Sequence, residues 1–360
     1  MAEIYTSAES ATLSSLSPEA HDHINAILSD LGLSGTGDVA VQPIGAGEVA
    51  AGADDKAIVA VPGTGHDPLL IDGGSHGAAV ILADSGAVTL TGIGDDTVFA
   101  SDGGNVITAG SGHSVVHGGL GDDSIFAGSS GGDHALFAGA GGSDTLVAGI
   151  GMDTLWGSTG GHSLLVGGAE GHTEIHAGGA GGDTILSSAG GDTIHGGGAS
   201  IDSAGDHATI FTVGDTIASH GDHALIDGSA AAGGSHTDIF GSHATIFGGS
   251  GGDTITLHDT ASFTSVFGGA GDDHFLSYGL TDSVSGGDGS DYFSIAGFGT
   301  GHDTISGGAG DDSLVFQDRN LADAHITTSG ATTFVSFDDG YSASLSGIEH
   351  LRFKDTVFSG

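Results

Sequence analysis

An all-β repeat fold, with a short N-terminal helix and a C-terminal β cap, is predicted from three features of the chain. A nine-residue unit, plainest at 118–126 as GGLGDDSIF, returns at 178–186, 248–256, 268–276, 286–294 and 307–315. One segment, 17–33, carries apolar residues at helical spacing, and 316–353 reads as alternating strands around a turn. Between Lys56 and Arg319 there is no lysine or arginine, so the repeats form one uninterrupted acidic tract.

The unit reads G-G-x-G-x-D-x-U-x, U being a large aliphatic or aromatic residue. Glycines at the first, second and fourth positions permit backbone angles closed to other residues and let carbonyl oxygens converge. Carbonyls and carboxylates suit calcium, which takes about six to eight oxygen ligands, so one loop supplies about half a shell and a second stacked loop the rest. Position U points inward: Val98, Ile107, Val116 and Ile125 fall nine apart and are expected to stack into a narrow apolar column.

This pattern resembles the hemolysin-type calcium-binding repeat of the RTX family, most strongly over residues 90–315. The resemblance implies a parallel β-roll, a β-solenoid in which GGxGxD forms each loop, xUx each strand, and several Ca2+ ions sit between loops stacked on one edge. Carried onto this chain, the aspartate of the motif falls at Asp96, Asp123, Asp144, Asp153, Asp183, Asp192, Asp253, Asp273, Asp291, Asp303 and Asp312, which are the expected metal ligands.

Four basic residues against 46 acidic ones leave a formal charge of −42, which argues against nucleic acid and anionic membranes as partners. Divalent cations are the natural counterions: carboxylates stacked about 5 Å apart repel one another, so the chain is expected to be largely unfolded at low calcium. No cysteine is present to supply a disulfide or a thiolate site. MAEIYTSAES has no basic n-region or apolar core, so it is not read as a secretory leader, and no stretch approaches the roughly eighteen apolar residues of a membrane span. RTX-like proteins carry an uncleaved C-terminal signal for a type I secretion channel, and SGIEHLRFKDTVFSG looks like the close of such proteins. A secreted, extracellular or cell-surface location follows from that resemblance.

Along the chain, residues 1–34 are expected to hold a helical segment. Ser17 suits the N-cap, Pro18 the first turn, and Gly32 the stop, while Ile24, Ile27, Leu28 and Leu31 share a face that would either cap the open end of the roll or dock loosely as a leader segment. Residues 35–90 read as a calcium-poor β-solenoid, with strands at 57–61, 69–71 and 78–82. From 91 to 315 the calcium-binding roll follows, its second and third units carrying Asn105 and Ser114 in place of the aspartate.

Its middle, 127–247, is irregular. Asp144 pairs with Asp153, and Asp183 with Asp192, one loop to each edge. The loops GDHATIF (205–211), GDHALID (221–227) and GSHATIF (241–247), with relatives at His134 and His162, put histidine at the fifth position and a small residue where aspartate belongs. His207, His223 and His243 are a candidate second site for Zn2+, against the plainer reading of solvated loop residues. Their spacing of 16 and then 20 argues against one column, since a regular turn needs 18. From 248 to 315 the units are clean, Asp273 and Asp291 standing one full turn apart with Asp303 and Asp312 continuing the series. Residues 316–360, with Arg319, Arg352 and Lys354, form the β cap and the expected secretion signal, with hairpin strands around Asp338-Asp339-Gly340.

No H-E-x-x-H or EF-hand is present, and GSSGG at 128–132 matches G-x-S-x-G only through glycine and serine abundance. The chain is therefore read as a non-enzymatic structural or adhesive protein of a surface layer, biofilm matrix or host contact, with self-assembly or surface polysaccharide as partners. Two alternatives stand beside it. One is a polysaccharide-active enzyme on a β-solenoid; the other is an ice-binding solenoid, suggested by GTGHD at 63–67 and 299–303.

Overall fold

The triplet around each U residue becomes a strand because alternation puts U on one face and its neighbours on the other. Thr97–Phe99, Val106–Thr108, Val115–His117 and Ser124–Phe126 are four in succession. Thr97–Phe99 pairs in parallel with Val115–His117, and Val106–Thr108 with Ser124–Phe126, so successive units alternate between two sheets. The fold is an all-β parallel β-solenoid with one short helix before it. The computed structural model describes residues 16–32, 39–43, 48–50, 57–61, 69–72, 77–83, 86–129, 131–179, 181–297 and 299–358. MAEIYTSAES and the first GTGHD, at 63–67, lie outside the described residues. Two compact units, Met1–Leu186 and Ser187–Gly360, divide the chain.

In the first unit, one sheet runs from Val39–Pro43, paired with Ala57–Val61, to Glu174–His176. The other starts at Glu48–Ala50, paired with Leu69–Asp72. Val98, Val116, Leu136, Leu155 and Ile175 make one buried column, and Ile107, Ile125, Leu146, Leu165 and Ile185 the facing one. The four residues expected to stack together are thus all inward, two to each column, because adjacent units belong to opposite sheets.

The helix Pro18–Asp30 begins at Ser17, whose Oγ accepts the Ala20 N–H at 3.2 Å, and ends before Gly32 at φ +70°. Its buried Ile24, Ile27 and Leu28 pack on Val59, Ile81, Ala83 and Phe99. These belong to consecutive strands of one sheet, so the helix lies against the outer face rather than over an end of the roll. The local reason is composition: at this outward position the strands carry Val59, Ile81 and Phe99, whereas the rungs that follow carry the stacked rings of His117, Phe137, Trp156 and His176.

In the second unit, Thr193–His195 through Gly301–Ala309 build one sheet and Ser200–Ser203 through Ser313–Phe316 the other. The strands Tyr341–Ser346 and His350–Phe353 add one further parallel rung. Ala324–Ser329, Thr332–Phe337 and Tyr341–Ser346 pair antiparallel, as the turn at 338–340 predicted. Antiparallel partners cover edges that the last parallel strands would otherwise expose.

Arg319 joins this end to the rungs. Its side chain is buried and donates to Asp339 Oδ2 at 2.6 Å and to the Gly297 carbonyl at 3.2 Å, with the guanidinium 4.5 Å from the ring centroids of both Phe337 and Tyr341. Arg319→Ala is expected to lower stability by about 2 kcal/mol, discounted from a fully buried pair because Asp339 is partly solvated. Denaturant unfolding of the two proteins at equal calcium measures it, and an unchanged midpoint would show that the clamp contributes nothing.

Candidate metal-binding edges

Every sixth-position aspartate named above is buried, between 0 and 2% exposed, although carboxylates normally stay in water. What holds each one is the rung before it. The Asp253 N–H donates to Asp273 Oδ1 at 2.8 Å, Asp273 to Asp291 at 2.9 Å, and Asp291 to Asp312 at 2.8 Å. The Asp312 N–H ends this ladder on Glu349 Oε2 at 2.9 Å. On the opposite edge, Thr264 donates to Asp282 and Asp282 to Asp303, each at 2.9 Å. Asp303 therefore does not continue the series of Asp291 and Asp312; its loop, the second GTGHD, belongs to the other edge. Its second oxygen accepts the Tyr341 hydroxyl at 2.5 Å, and burial, reinforced by the Asp303 charge, raises that phenol well above its ordinary range.

The first unit repeats the arrangement. Asn105 donates to Asp123, and Asp123 to Asp144, on one edge, while Ala78 donates to Asp96 and His134 to Asp153 on the other. Fifth-position carboxylates clasp in the reverse direction. Asp95, Asp122 and Asp272 accept the N–H of His113, Ser143 and Ser290 on the following rung.

One oxygen of these carboxylates is thus used by the backbone, and the other separates them into three groups. Asp192 and Asp303 accept a hydroxyl, from Ser187 and Tyr341. Asp123, Asp153 and Asp183 accept a second N–H from Gly119, Gly149 and Gly178. The Oδ2 atoms of Asp96, Asp144, Asp253, Asp273, Asp282, Asp291 and Asp312 are buried without any hydrogen-bond partner. An unsatisfied buried acceptor is costly, and a row of them calls for a cation.

The first glycine of the motif marks where that cation fits. A Cβ built on Gly286 would stand 1.9 Å from Asp291 Oδ2 and 2.6 Å from the Gly307 carbonyl oxygen. One on Gly268 would meet Asp273 Oδ2 at 2.2 Å and the Gly286 carbonyl at 2.7 Å. Carboxylate and next-rung carbonyl therefore converge on one small space, as an all-oxygen calcium site requires. At Asn105 the side-chain amide instead donates to the Ser101 and Gly103 carbonyls and to Asp123 Oδ1, an organic substitute for a cation.

Charge is expensive in these columns. Burial pushes Asp273 up to about 7 and Asp144 and Asp282 to about 6, with neighbouring aspartates adding to the shift. Asp96, Asp123, Asp253, Asp291, Asp303 and Asp312 are raised for the same first reason.

Several participants escaped the sequence reading. Asp215 and Asp282 occupy the same buried position, and Asp215 Oδ1 accepts the Gly197 and Ala199 N–H groups. Both stand two residues before an inward apolar residue, as does Glu349, a signal that survives when the glycines are lost. His134 obeys the same rule: it occupies the aspartate position rather than the fifth, and its Nδ1 accepts the Ser114 N–H at 3.2 Å.

His207, His223 and His243 do form one column, despite spacings of 16 and 20. Successive ring centroids are 4.8 Å apart with interplanar angles of 2° and 6°, all three residues have φ near +60°, and Phe263 extends the stack. The other edge absorbs the irregular loop lengths, so register is kept. Parallel imidazoles at this distance direct their in-plane lone pairs side by side and not toward a shared ion, which does not support the Zn2+ site expected there.

A model of the RTX calcium-binding nonapeptide repeat (four copies) matches residues 90–125, 99–133, 137–161, 177–200 and 299–316. The chain carries RTX calcium-binding nonapeptide repeats, in agreement with the edges just described. The match leaves out 201–298, where Asp253, Asp273 and Asp291 keep the same geometry. No curated protein matches the chain.

Gly286→Ala is expected to abolish most of the calcium-induced β signal in circular dichroism, because its Cβ fills the cradle. Gly179→Ala, where a Cβ meets nothing within 4 Å, is expected to behave as the parent chain. Equal responses would show that the cradle is not where the ion binds.

A pH dependence follows for the chelated protein. Raised folded-state pKa values mean that the folded chain binds more protons than the unfolded one, so these carboxylates favour folding at low pH and that contribution is lost as pH rises toward 6–7. His117 and His134, lowered by burial, oppose the trend in acid but are outnumbered. Moving from pH 7.5 to 5 in chelator is expected to increase β content. A decrease measured by circular dichroism would contradict the assignment.

Proposed function

We propose that this is a secreted, calcium-dependent structural or adhesive protein that folds outside the cell. The observation that carries the reading is that seven buried Oδ2 atoms, distributed over both edges, have no partner, in loops whose carbonyls converge on the same space, in a chain of charge −42. In the proposal, Asp96, Asp144, Asp253, Asp273, Asp282, Asp291 and Asp312 contribute directly to calcium. Asp123, Asp153, Asp183, Asp192 and Asp303 hold their loops and add ligands where the second oxygen can turn. Ion binding is then part of the folding free energy, since the unfolded chain has no site.

Secretion gives this linkage a use. A chain that stays unfolded at low cytosolic calcium can pass a type I channel, its signal lying within 316–360, and lock where calcium is abundant. The outcome is a calcium-rigidified acidic solenoid suited to a surface layer, matrix or host contact, with another copy or a surface polysaccharide as partner. Among the described residues no helix is long and apolar enough to cross a membrane.

Circular dichroism in chelator and then in millimolar calcium tests the reading: a largely disordered spectrum should become β-rich. Asp291→Ala, whose neighbours Asp273 and Asp312 both carry unpartnered oxygens, should raise the calcium midpoint more than Asp253→Ala, which has Ser235 on one side. A full β signal in excess chelator would sink the proposal, and equal shifts in the two variants would redistribute the sites.

A further inference from the structure

The rungs of the second unit do not share one demand for a cation. Over residues 187–252 every buried carboxylate oxygen has a partner, whereas Asp253, Asp273, Asp282, Asp291 and Asp312 each leave one bare in the rungs that follow. The buried side-chain atoms without a partner in the first stretch are the Ser203 and Ser219 hydroxyls, which carry no charge.

Different residues achieve this on the two edges. On one, buried Ala208, Ala224 and Ala244 stand where Asp282 and Asp303 stand further along. On the other, Asp215 is answered at both oxygens: Oδ1 accepts the Gly197 and Ala199 N–H groups at 2.9 and 2.6 Å, and Oδ2 accepts that of Val213 at 2.8 Å. Ser235 follows on the next rung, its hydroxyl 3.1 Å from that of Thr212. A methyl group, a hydroxyl pair or a fully clasped acid leaves no bare charge for an ion to neutralise.

The loops are closed by other means. A Cβ on Gly221 would stand 2.0 Å from the Gly205 carbonyl oxygen, and one on Gly241 1.9 Å from that of Gly221, with backbone as the other nearest atoms in both cases. No carboxylate shares this space, as it does at Gly268 and Gly286. Loop is tied to loop by main chain: His207 donates its N–H to the Asp222 carbonyl, His223 to Ser242 and His243 to Ser262, at 2.8, 2.8 and 2.9 Å. The same three residues carry the stacked imidazoles, and the pairs His195–Phe211 and His220–Phe240 stack at 4.9 and 4.4 Å. Inside, Ile194, Ile201, Ile210, Ile217, Ile226 and Ile246 fill the two columns. Apolar burial, ring stacking and neutral hydrogen bonds thus hold these rungs, and no ion enters their balance.

We infer, resting on the calcium dependence proposed above, that rungs 193–247 form a calcium-independent splint, which keeps its β pairing after rungs 253–316 have lost theirs. Falling calcium then acts as a graded signal: the C-terminal ladder is released while the histidine-lined rungs hold. Hydrogen exchange of the full chain at pH 7.5, read by mass spectrometry across a calcium titration, is the test. Amides of 209–247 are expected to stay protected at a calcium concentration about tenfold or more below that at which amides of 273–316 lose protection. Ala224→Asp, which returns an acid to the edge, is expected to close this gap by raising the midpoint of 209–247, and the neutral Ala224→Ser to preserve it. A common midpoint for both stretches in the parent chain, or loss of 209–247 first, overturns the splint while leaving the calcium reading intact. Protection of both stretches that ignores calcium overturns the calcium reading and the splint with it.

Discussion

The contact on which the rest depends is the hydrogen bond from a backbone N–H to the buried carboxylate of the next rung. It fixes the register of neighbouring loops, and it does so by bringing acidic groups into columns that water cannot reach. Asp273 illustrates the tension: its Oδ1 caps the Asp253 N–H while its Oδ2 has no partner, and burial carries its pKa to about 7. Such a column is self-consistent only when protons, amides or cations take up the second oxygen. The second oxygen of Asp123 takes the Gly119 N–H, that of Asp303 takes the Tyr341 hydroxyl, and elsewhere it is left bare and suited to calcium.

The interior is simple by comparison. One aliphatic or aromatic side chain per strand fills the space between two sheets, and the columns continue through Phe275 and Phe293 near the C-terminal end. A core this narrow gives little apolar burial for each ordered backbone residue. Stability therefore rests with the edges more than in a globular domain of equal length. The regular rungs of 248–315 and the irregular ones of 200–247 solve the same problem differently. In the latter, Ala208, Ala224 and Ala244 replace buried acids on one edge, and stacked histidines line the adjoining loop positions.

Much of this was legible in the sequence because the motif encodes loop and strand together. Inward residues such as Val98 and Ile125 and the buried positions of the eleven aspartates follow from the nine-residue motif, and the hairpins around 338–340 from strand alternation about a turn. The spacing fails where loops change length. Asp303 looked collinear with Asp291 and Asp312 yet belongs to the opposite edge, and His207, His223 and His243 looked out of phase yet stack. Residues that lack the flanking glycines, Asp215, Asp282 and Glu349, were hidden for the same reason: their signal is a position two before an inward residue, not a motif. The helix site was beyond local sequence, since it depends on the outward faces of three separate strands.

The ladder also has a direction. Each sixth-position carboxylate serves the rung before it, so a rung receives its clasp from residues that come later in the chain, until Glu349 and Tyr341 close the two edges. Within the second unit the ladder is in this sense polar, with unlike ends. Its C-terminal end is a finished template on which preceding rungs can settle, whereas an N-terminal fragment always ends in an unanswered N–H. In that unit a chain cut before Glu349 lacks the carboxylate that answers the Asp312 N–H, the last clasp of the ladder.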